Sequence, residues 1–537
     1  METGIDATLR LLTRTRNQAA VDVLVAALGS ETPATRLAAL AALLERPDPA
    51  GHREVFRRIG RLDEAARAVL RQRPDRLLPV ALEALRAGDA AEAEYACRVI
   101  VEQRIYDAVG PLVALVADSD HPGRDLAAQT TLRMAECLYA ELCESDAGAA
   151  RDYDAVRGRL TGVLEDGVRK YARHLRVEIV EALLLVAKPT NAVVRSVLLR
   201  PEEKSHEAMR EILATSQQGG VLRLLLGFLE DPQSPRAALD VLAGRADARF
   251  VEHFLRAVGR SSACGVIDTL RRIDRFAWAV PGHEVFGELS EEAQVGAIQA
   301  MFHSGMKRDD VVEMLGYLLL EGKPGARRAA AAMLARFDTP LSDALVVRGL
   351  ADPNPAVRAE LIVQLRPRGI PNALSLLIRM VDSSDESVRA ALRQALPEFT
   401  LRQFLQHFDH MDESLRPLAG HMVVRLEPGV ERQLAAEMEC VSPVRRRRAV
   451  RAAKAMGVVE PLELVIAKLL GDADHMVRVA AAEALAEAKS APTWEALCAA
   501  LFDRSMVVQE AAEQSLKRIS RSLSPTAEEE TIQEVAT

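Results

Sequence analysis

Aromatic residues are scarce in this chain. Phe, Trp and Tyr make up 4% of its 537 residues, with two tryptophans among them, whereas 49% of the residues are hydrophobic. Thick globular cores use large rings as filler, while thin layers of packed helices are filled mainly by Leu, Val and Ala. The composition therefore favours a thin, two-layer helical array over the three or four globular domains that length alone would suggest.

Long apolar runs and paired cysteines are also missing. No run approaches the roughly 18 residues of a membrane span. The N-terminus has two early acids, Glu2 and Asp6, and no apolar core of a signal peptide. No CxxC spacing links the cysteines, so we interpret them as reduced, small hydrophobic residues. The six are Cys97, Cys137, Cys143, Cys264, Cys440 and Cys498. These absences predict a cytoplasmic protein without a membrane span.

Motifs for catalysis and strong charge of one sign are absent too. The sequence holds no GxxxxGK[ST], GxSxG, HExxH or glycine-rich dinucleotide loop. A net charge of -8 provides no global attraction to nucleic acid or anionic membranes. Nine lysines among the 69 basic residues leave 60 arginines, and this imbalance suggests a GC-rich, bacterial source. We expect no catalytic residue, no metal and no cofactor.

What is present is a repeat. Pro461 and Pro492 lie 31 residues apart, and Asp472 and Asp503 are separated by the same interval. A fixed period between 20 and 50 residues is typical of stacked repeats rather than of a single core. The 31-residue period therefore predicts one elongated array.

Each repeat reads as two short helices joined by a turn. The second helix of the clearest copy has an apolar stripe at helical spacing, formed by Val477, Ala480, Ala481, Ala484 and Leu485. Alanines allow neighbouring helices to approach closely, and neither helix can bury its stripe alone. Each hairpin must therefore pack against its neighbours.

These hairpins resemble HEAT repeats, in which Pro begins the first helix, Asp lies in the turn and Val-Arg opens the second helix. The matching pairs are Thr35-Arg36, Pro235-Arg236, Ala326-Arg327, Val357-Arg358, Val388-Arg389, Val444-Arg445 and Val477-Arg478. In the family the turn Asp and the helix Arg form a ladder along the stack. The resemblance implies that structural role for Asp352, Asp382, Asp472, Arg358, Arg389 and Arg478.

The predicted fold is an all-α solenoid of about 16 HEAT-like hairpins. Its segments are a capping helix in 1–16, divergent repeats in 17–216, irregular aromatic-enriched repeats in 217–322, regular HEAT repeats in 323–519 and a disordered acidic tail in 520–537. The acidic stretch 144–150 is predicted as a loop or soft joint, and one hairpin is expected over 275–303.

A run of cations is the first candidate site. Four consecutive arginines are followed by two more cations with no acid between Val441 and Gly457. The cations are Arg445, Arg446, Arg447, Arg448, Arg451 and Lys454. We attribute Arg445 to the repeat motif and regard the next three arginines as excess.

Helical spacing places Arg447, Arg451 and Lys454 on one side, where they could face a phosphate backbone, as in HEAT-like DNA glycosylases. The alternative is a solvated face whose cations pair with neighbouring acids such as Glu437, Glu439 or Glu483. No aromatic base-stacking residue is interleaved with these cations, which disfavours nucleic acid.

An aromatic segment is the second candidate. Seven of the chain's 20 aromatic residues lie between Phe250 and Tyr317, and Phe276 and Trp278 stand where the repeat pattern breaks. Exposed rings beside an irregular turn would anchor a partner. Buried rings would instead fill a wider gap between irregular helix pairs.

Two histidine patterns suggest metal chemistry. His407 and His410 lie one helical turn apart, but a metal site would need further ligands from a neighbouring helix. HEAT-type deoxyhypusine hydroxylase holds iron with four His-Glu dipeptides, and this chain has two, at His206 and His283. Their separation of 77 residues prevents them from closing one such site in a regular stack. HEAT-like bilin lyases are another enzyme relative that no local motif supports.

The sequence therefore predicts a non-catalytic scaffold or adaptor that binds a macromolecule, most directly a protein, along the concave face formed by its second helices. The first alternative is a nucleic-acid-binding solenoid that uses the helix from Arg445 to Lys454. A repeat-based enzyme of the bilin-lyase or di-iron hydroxylase kind is the third interpretation.

Overall fold

The computed structural model describes residues 4–87, 89–118, 120–144, 152–261 and 263–523. Throughout these ranges the chain is helical, with 34 α-helices and no strand. The chain divides into two compact units, Met1–Val311 and Val312–Thr537. In both units short helices follow one another as antiparallel hairpins that pack on the next hairpin. The predicted all-α solenoid class is confirmed.

The first unit contains the first twenty helices, including two single-turn helices. They are α1 Gly4–Arg14, α2 Ala19–Ala27, α3 Pro33–Glu45, α4 Pro49–Arg58, α5 Glu64–Arg71, α6 Pro74–Arg86, α7 Ala90–Glu102, α8 Val109–Ala117, α9 Arg124–Glu144, α10 Tyr153–Arg169, α11 Tyr171–His174, α12 Val177–Val186, α13 Ala192–Leu199, α14 Lys204–Thr215, α15 Gly219–Gly227, α16 Arg236–Gly244, α17 Ala248–Arg260, α18 Cys264–Leu270, α19 Val285–Glu288 and α20 Glu291–His303.

The second unit begins within α21 and contains the most regular hairpins. The helices are α21 Arg308–Glu321, α22 Pro324–Leu334, α23 Pro340–Gly349, α24 Pro355–Ile362, α25 Ala373–Ile378, α26 Glu386–Ala395, α27 Leu401–His407, α28 Arg416–Leu426, α29 Val430–Met438, α30 Pro443–Met456, α31 Val459–Lys468, α32 His475–Leu485, α33 Ala491–Ala500 and α34 Met506–Leu523. The last helix extends into the segment predicted as a tail. Residues 524–537 of that tail, and 145–150 of the predicted joint, lie outside the described residues.

The hairpin of α31 and α32 shows how the sequence makes the repeat. The Asp474 carboxylate caps α32 by accepting hydrogen bonds from the backbone N–H groups of Met476 and Val477, at 2.8 and 3.2 Å. Val477, Ala481, Ala484 and Leu485 are all fully buried, as the predicted stripe requires. Each fully buried leucine of this kind stabilises the fold by about 2 kcal/mol through the water it excludes.

Glycine allows a close contact between two helices of the first unit. A Cβ on Gly296 of α20 would stand 2.1 Å from the backbone oxygen of Leu255 in α17. No side chain fits in that space, so only glycine allows the backbones of α17 and α20 to approach this closely.

The prediction of a hairpin over 275–303 is wrong. Residues 271–284 form turns and irregular backbone, and α20 is the only long helix in that range. The backbone N–H of Ala277 donates to the carbonyl of Ala243, at 2.8 Å, which ties the irregular segment to the end of α16. Large rings rather than a second helix fill the gap: Phe276 and Trp278 are completely buried and stack with their centroids 4.9 Å apart.

No single helix in the described ranges is long and apolar enough to cross a membrane. One sharply bent pair of helices, Lys204–Thr215 with Gly219–Glu230, has the length and composition of a membrane span.

Candidate functional site

A recurring arginine in the second helix organises each regular hairpin. It stands at the fourth helical position after the N-cap, as in Arg358 of α24 and Arg478 of α32. From there Nη1 of Arg478 donates to the turn carbonyls of Asp472 and Ala473, at 2.8 and 3.3 Å. The same two contacts recur at Arg358, with Asp352 and Pro353. A guanidinium has enough donors to satisfy a turn and still reach the next repeat.

The remaining donors of these arginines bind a carboxylate of the following hairpin. Arg478 reaches Asp503 at 2.8 Å, and three further pairs are Arg327 with Asp352 at 2.8 Å, Arg358 with Asp385 at 2.7 Å and Arg446 with Asp472 at 2.7 Å. The acid that pairs with Arg358 is therefore Asp385, and not Asp382, to which the HEAT resemblance gave a role in the ladder. Exposed Asp382 faces His421 and Arg425 of α28 instead.

The ladder is interrupted after α26. Arg389 holds its own turn through the carbonyls of Ser383 and Ser384. Its ion pair, however, is with Glu386 of the same helix, at 2.6 Å. The described part of the chain thus contains a ladder in segments, and Arg389 does not join its hairpin to the next one.

The assignment of Arg445 to the repeat motif is wrong. Pro443 is the first residue of α30, so the fourth helical position is Arg446, which binds the turn carbonyls of Cys440 and Val441 as well as Asp472. Arg445 is exposed and pairs with Glu437 of α29, from Nε at 2.9 Å. Arg446 is thus a structural residue and not one of the excess cations.

Two other cations of α30 are bound by one acid. Arg448 donates from Nε to Asp409, at 2.7 Å, and from Nη1 to the carbonyl of Leu405, at 3.2 Å. Arg451 lies 3.7 Å from the second oxygen of Asp409 and 5.8 Å from the centroid of the Phe408 ring. These contacts dock α30 on the end of α27.

One side of α30 carries the cationic stripe, which we define as the half-buried residues Arg447, Arg451 and Lys454. It lies opposite the buried residues Ala449 and Ala453, since the helical period separates the two sets. Lys454 donates to the backbone carbonyl of Glu483 at 3.0 Å, whereas Arg447 makes no hydrogen bond or ion pair within the described residues. The stripe therefore carries three positive charges, and Asp409 is the one carboxylate of the described residues that pairs with any of them.

A groove of about 440 Å³ lies beside the stripe, between α27, α29 and α30. It is lined by Leu401, Arg402, Leu405, Gln406, Gln433, Glu437, Arg445 and Arg448. We call it the arginine groove. Three cations and one acid line it, so its walls carry net positive charge.

Sequence reasoning missed a second arginine series. Buried Arg245, which follows α16, donates to the carbonyls of Leu213 and Ser216 at the end of α14, at 2.9 and 3.0 Å. Arg46 makes the same pair of contacts with Leu12 and Thr15, at 2.5 and 2.7 Å. Arg368 likewise binds the carbonyls of Leu334 and Phe337. These arginines cap carbonyl groups that the helix ends leave unpaired.

The interpretation of Phe276 and Trp278 as exposed anchors is wrong, and the alternative of buried rings that fill a gap agrees with the structure. Both are completely buried and pack with Phe254, whose ring centroid lies 5.7 Å from that of Phe276. Nε1 of Trp278 has no hydrogen-bond partner among the described residues. The rings belong to the core.

The histidine patterns do not assemble a metal centre in the described residues, where no group of three metal-ligating side chains converges. His206 is buried, and its Nδ1 lies 2.9 Å from the carbonyl of Val197. His283 lies in the turn before α19. His407 and His410 are exposed at the end of α27.

A family model described as HEAT repeats matches residues 312–397. The match confirms the HEAT resemblance for that segment, which is less than half of the chain. A search of curated proteins found no match.

Solved structures resemble the chain at low identity. They include human deoxyhypusine hydroxylase, with 16% identity, 56% of this chain and 96% of that chain covered, and a TM-score of 0.17. Kap121p bound to Ste12p shows 12% identity and a TM-score of 0.27 over 97% of this chain, which spans 57% of Kap121p. The Pds5–Scc1 complex shows 12% identity and a TM-score of 0.29, with 99% and 96% covered. Likeness at these TM-scores says nothing about what the chain binds or catalyses.

Proposed function

We propose that this protein is a non-catalytic scaffold that binds an acidic protein partner through the cationic stripe of α30. The observation that carries the proposal is the cationic stripe. Its three half-buried cations lie on one side of a helix, and Arg447 has no partner within the described residues. Complementary charge on a partner would steer and orient its association.

The number of available cations favours a protein over nucleic acid. Arg445, Arg446 and Arg448 are bound to carboxylates of the same chain, and Arg451 lies 3.7 Å from Asp409, so at most three cations of the helix are available to an external ligand. Proteins that bind duplex DNA tightly contact about 6–10 phosphates. Three contacts would give weak, salt-sensitive binding, so nucleic acid is the second candidate, supported by the stripe alone.

The rigidity of α30 supports a docking role. The helix is anchored at its start by Arg446 and Asp472, and near its middle by Arg448 and Asp409. Ion pairs at both places hold the backbone, so Arg447, Arg451 and Lys454 keep fixed spacing. A preorganised surface loses less conformational entropy when a partner binds.

The proposed compartment is the cytoplasm. All six cysteines are unpaired, and a reducing compartment is where free thiols persist. The arginine excess that suggested a bacterial source has a structural use in the ladder and the helix caps. The source therefore stays a prediction.

The test compares two triple charge reversals of the full chain. One is Arg447→Glu, Arg451→Glu and Lys454→Glu. The matched control changes three exposed arginines outside the stripe, Arg348→Glu in α23, Arg379→Glu directly after α25 and Arg432→Glu in α29. Each bait is incubated with extract of the native cell, once untreated and once treated with nuclease, and captured proteins are identified by mass spectrometry.

We expect a protein that the wild type and the control retain, that the stripe variant loses, and that binds the purified wild type directly. Charge reversal at the stripe should weaken this direct binding at least tenfold. Equal retention by both variants would overturn the stripe as the site. Loss of all capture on nuclease treatment would favour nucleic acid.

A further inference from the structure

The arginine groove is a second feature of α30, on a different side of the helix from the stripe. Arg445 and Arg448 border it from α30, and Arg402 borders it from α27. Because Arg445 and Arg448 are three residues apart, they lie on one face, roughly a third of a turn from the stripe. The groove is therefore a separate surface that a variant can test independently.

The floor of the groove is apolar. Leu401 is buried and Leu405 is half-buried, and both belong to the lining. The volume of about 440 Å³ lies within the range of sites that hold small ligands or single side chains of a peptide. An aliphatic side chain that covers the two leucines would remove apolar surface from water.

The rim retains unused donors. Arg445 binds Glu437 through Nε and Nη2, and Arg448 uses Nε and Nη1 for Asp409 and Leu405, so one terminal nitrogen of each remains without a contact. Arg402 is exposed and makes no hydrogen bond in the described residues. Incoming carboxylates could thus bind these guanidinium groups without breaking an existing pair.

An amide side chain adds peptide-like chemistry. Gln406 lines the groove and makes no hydrogen bond within the described ranges. A primary amide offers both donors and an acceptor, which matches the backbone groups of an extended peptide. Apolar floor, cationic rim and free amide together specify one kind of ligand.

We propose that the arginine groove binds an extended acidic peptide segment, with one aliphatic side chain against Leu401 and Leu405 and carboxylates at Arg402 and Arg445. The inference rests on the proposed function in that the partner is a protein, and it adds a second contact beside the stripe. The segment carries an aliphatic residue flanked by Asp or Glu.

The probe is a fluorescein-labelled peptide with the core Glu-Asp-Leu-Asp-Glu, titrated with the full chain and followed by anisotropy. Arg402→Glu is the test variant, because the side chain is exposed and makes no internal contact that the change would break. Arg432→Glu makes the same charge change on exposed α29 surface outside the groove lining. Thermal unfolding by circular dichroism checks that each variant is folded.

We expect Arg402→Glu to weaken binding at least tenfold, while Arg432→Glu stays within about twofold of wild type. A core with Ser in place of Leu should bind at least fivefold more weakly, since the floor then has no apolar partner. Affinity should fall with added salt.

Three results would overturn the groove inference. They are absence of binding at millimolar protein, equal affinity of Arg402→Glu and wild type, and equal affinity for the Ser peptide. None of these affects the stripe, which extract capture tests separately. If extract capture shows that the stripe binds no protein while the peptide still binds the groove, the proposed function is overturned and the groove inference is kept.

Discussion

Arg478 and Asp503 join successive hairpins through two parallel hydrogen bonds, from Nε at 2.8 Å and from Nη2 at 2.9 Å. Both side chains are largely buried, at 4% and 12% exposure. Nη1 of the same guanidinium also binds the turn carbonyls of Asp472 and Ala473. The Arg478 side chain thus binds two backbone carbonyls and one carboxylate, none of which has a hydrogen-bond partner within a helix.

Arg478→Ala should therefore destabilise the last hairpins. Removal of one partner leaves a partly buried carboxylate and two unpaired carbonyls, and the expected loss is about 3 kcal/mol. Hydrogen exchange of α33 and α34, with urea unfolding of the full chain, measures it. The control is Arg518→Ala, whose pair with Glu487 spans 3.7 Å between exposed side chains and should contribute less than about 0.5 kcal/mol. Equal losses in the two variants would contradict the role of the ladder.

The same pair should make stability depend on pH. The hydrogen bonds from Arg478 hold the pKa of Asp503 below its usual value. A lowered pKa in the folded state means stability that is present above the unfolded pKa, about 4, and is lost as pH falls through the folded pKa. The gap in unfolding free energy between wild type and Arg478→Ala should shrink below about pH 4. A gap that stays constant down to about pH 2 would show that Asp503 is not the responsible group.

Arg245→Lys should lower the free energy of unfolding although it keeps the positive charge. The guanidinium of Arg245 is buried and binds two carbonyls and Asp247, a geometry that one ammonium group cannot reproduce. We expect a loss of about 2 kcal/mol, measured by urea unfolding. Arg249→Lys, on the exposed side of α17, is the matched control and should have no effect. Full stability of Arg245→Lys would mean that the helix cap needs only charge.

Trp278→Ala should lower stability without changing partner binding. A completely buried indole that packs among phenylalanine rings is worth about 3–5 kcal/mol. In a Trp494→Phe background Trp278 is the only tryptophan, and acrylamide should quench its fluorescence poorly. Strong quenching would contradict the burial of this ring.

Proline at the first helical position explains which ladder residues could be found from sequence. Pro355 and Pro443 both open second helices, and the ladder arginines Arg358 and Arg446 each follow three residues later. The Val-Arg pair identified Arg358 correctly and Arg445 incorrectly. The pair reports only local sequence, whereas the helix start decides which side chain faces the turn.

The helix-capping arginines could not have been predicted from one sequence. Arg245 and Leu213 are 32 residues apart, and their contact depends on how two hairpins stack. Nothing in the residues around Arg245 separates it from an exposed arginine such as Arg249. The arginine groove depends in the same way on three helices, α27, α29 and α30, whose relative placement is tertiary. By contrast, the stripe follows from helical spacing within α30 alone.

Photo-cross-linking from position 447 tests the central claim most directly. Arg447 is replaced by photoreactive benzoylphenylalanine in the native cell, with the same replacement at Arg432 as the control, and adducts are treated with nuclease or protease. The account predicts a discrete protein adduct at position 447 that resists nuclease and is absent at position 432. Adducts that nuclease removes, or no adduct above the level at position 432, would contradict it.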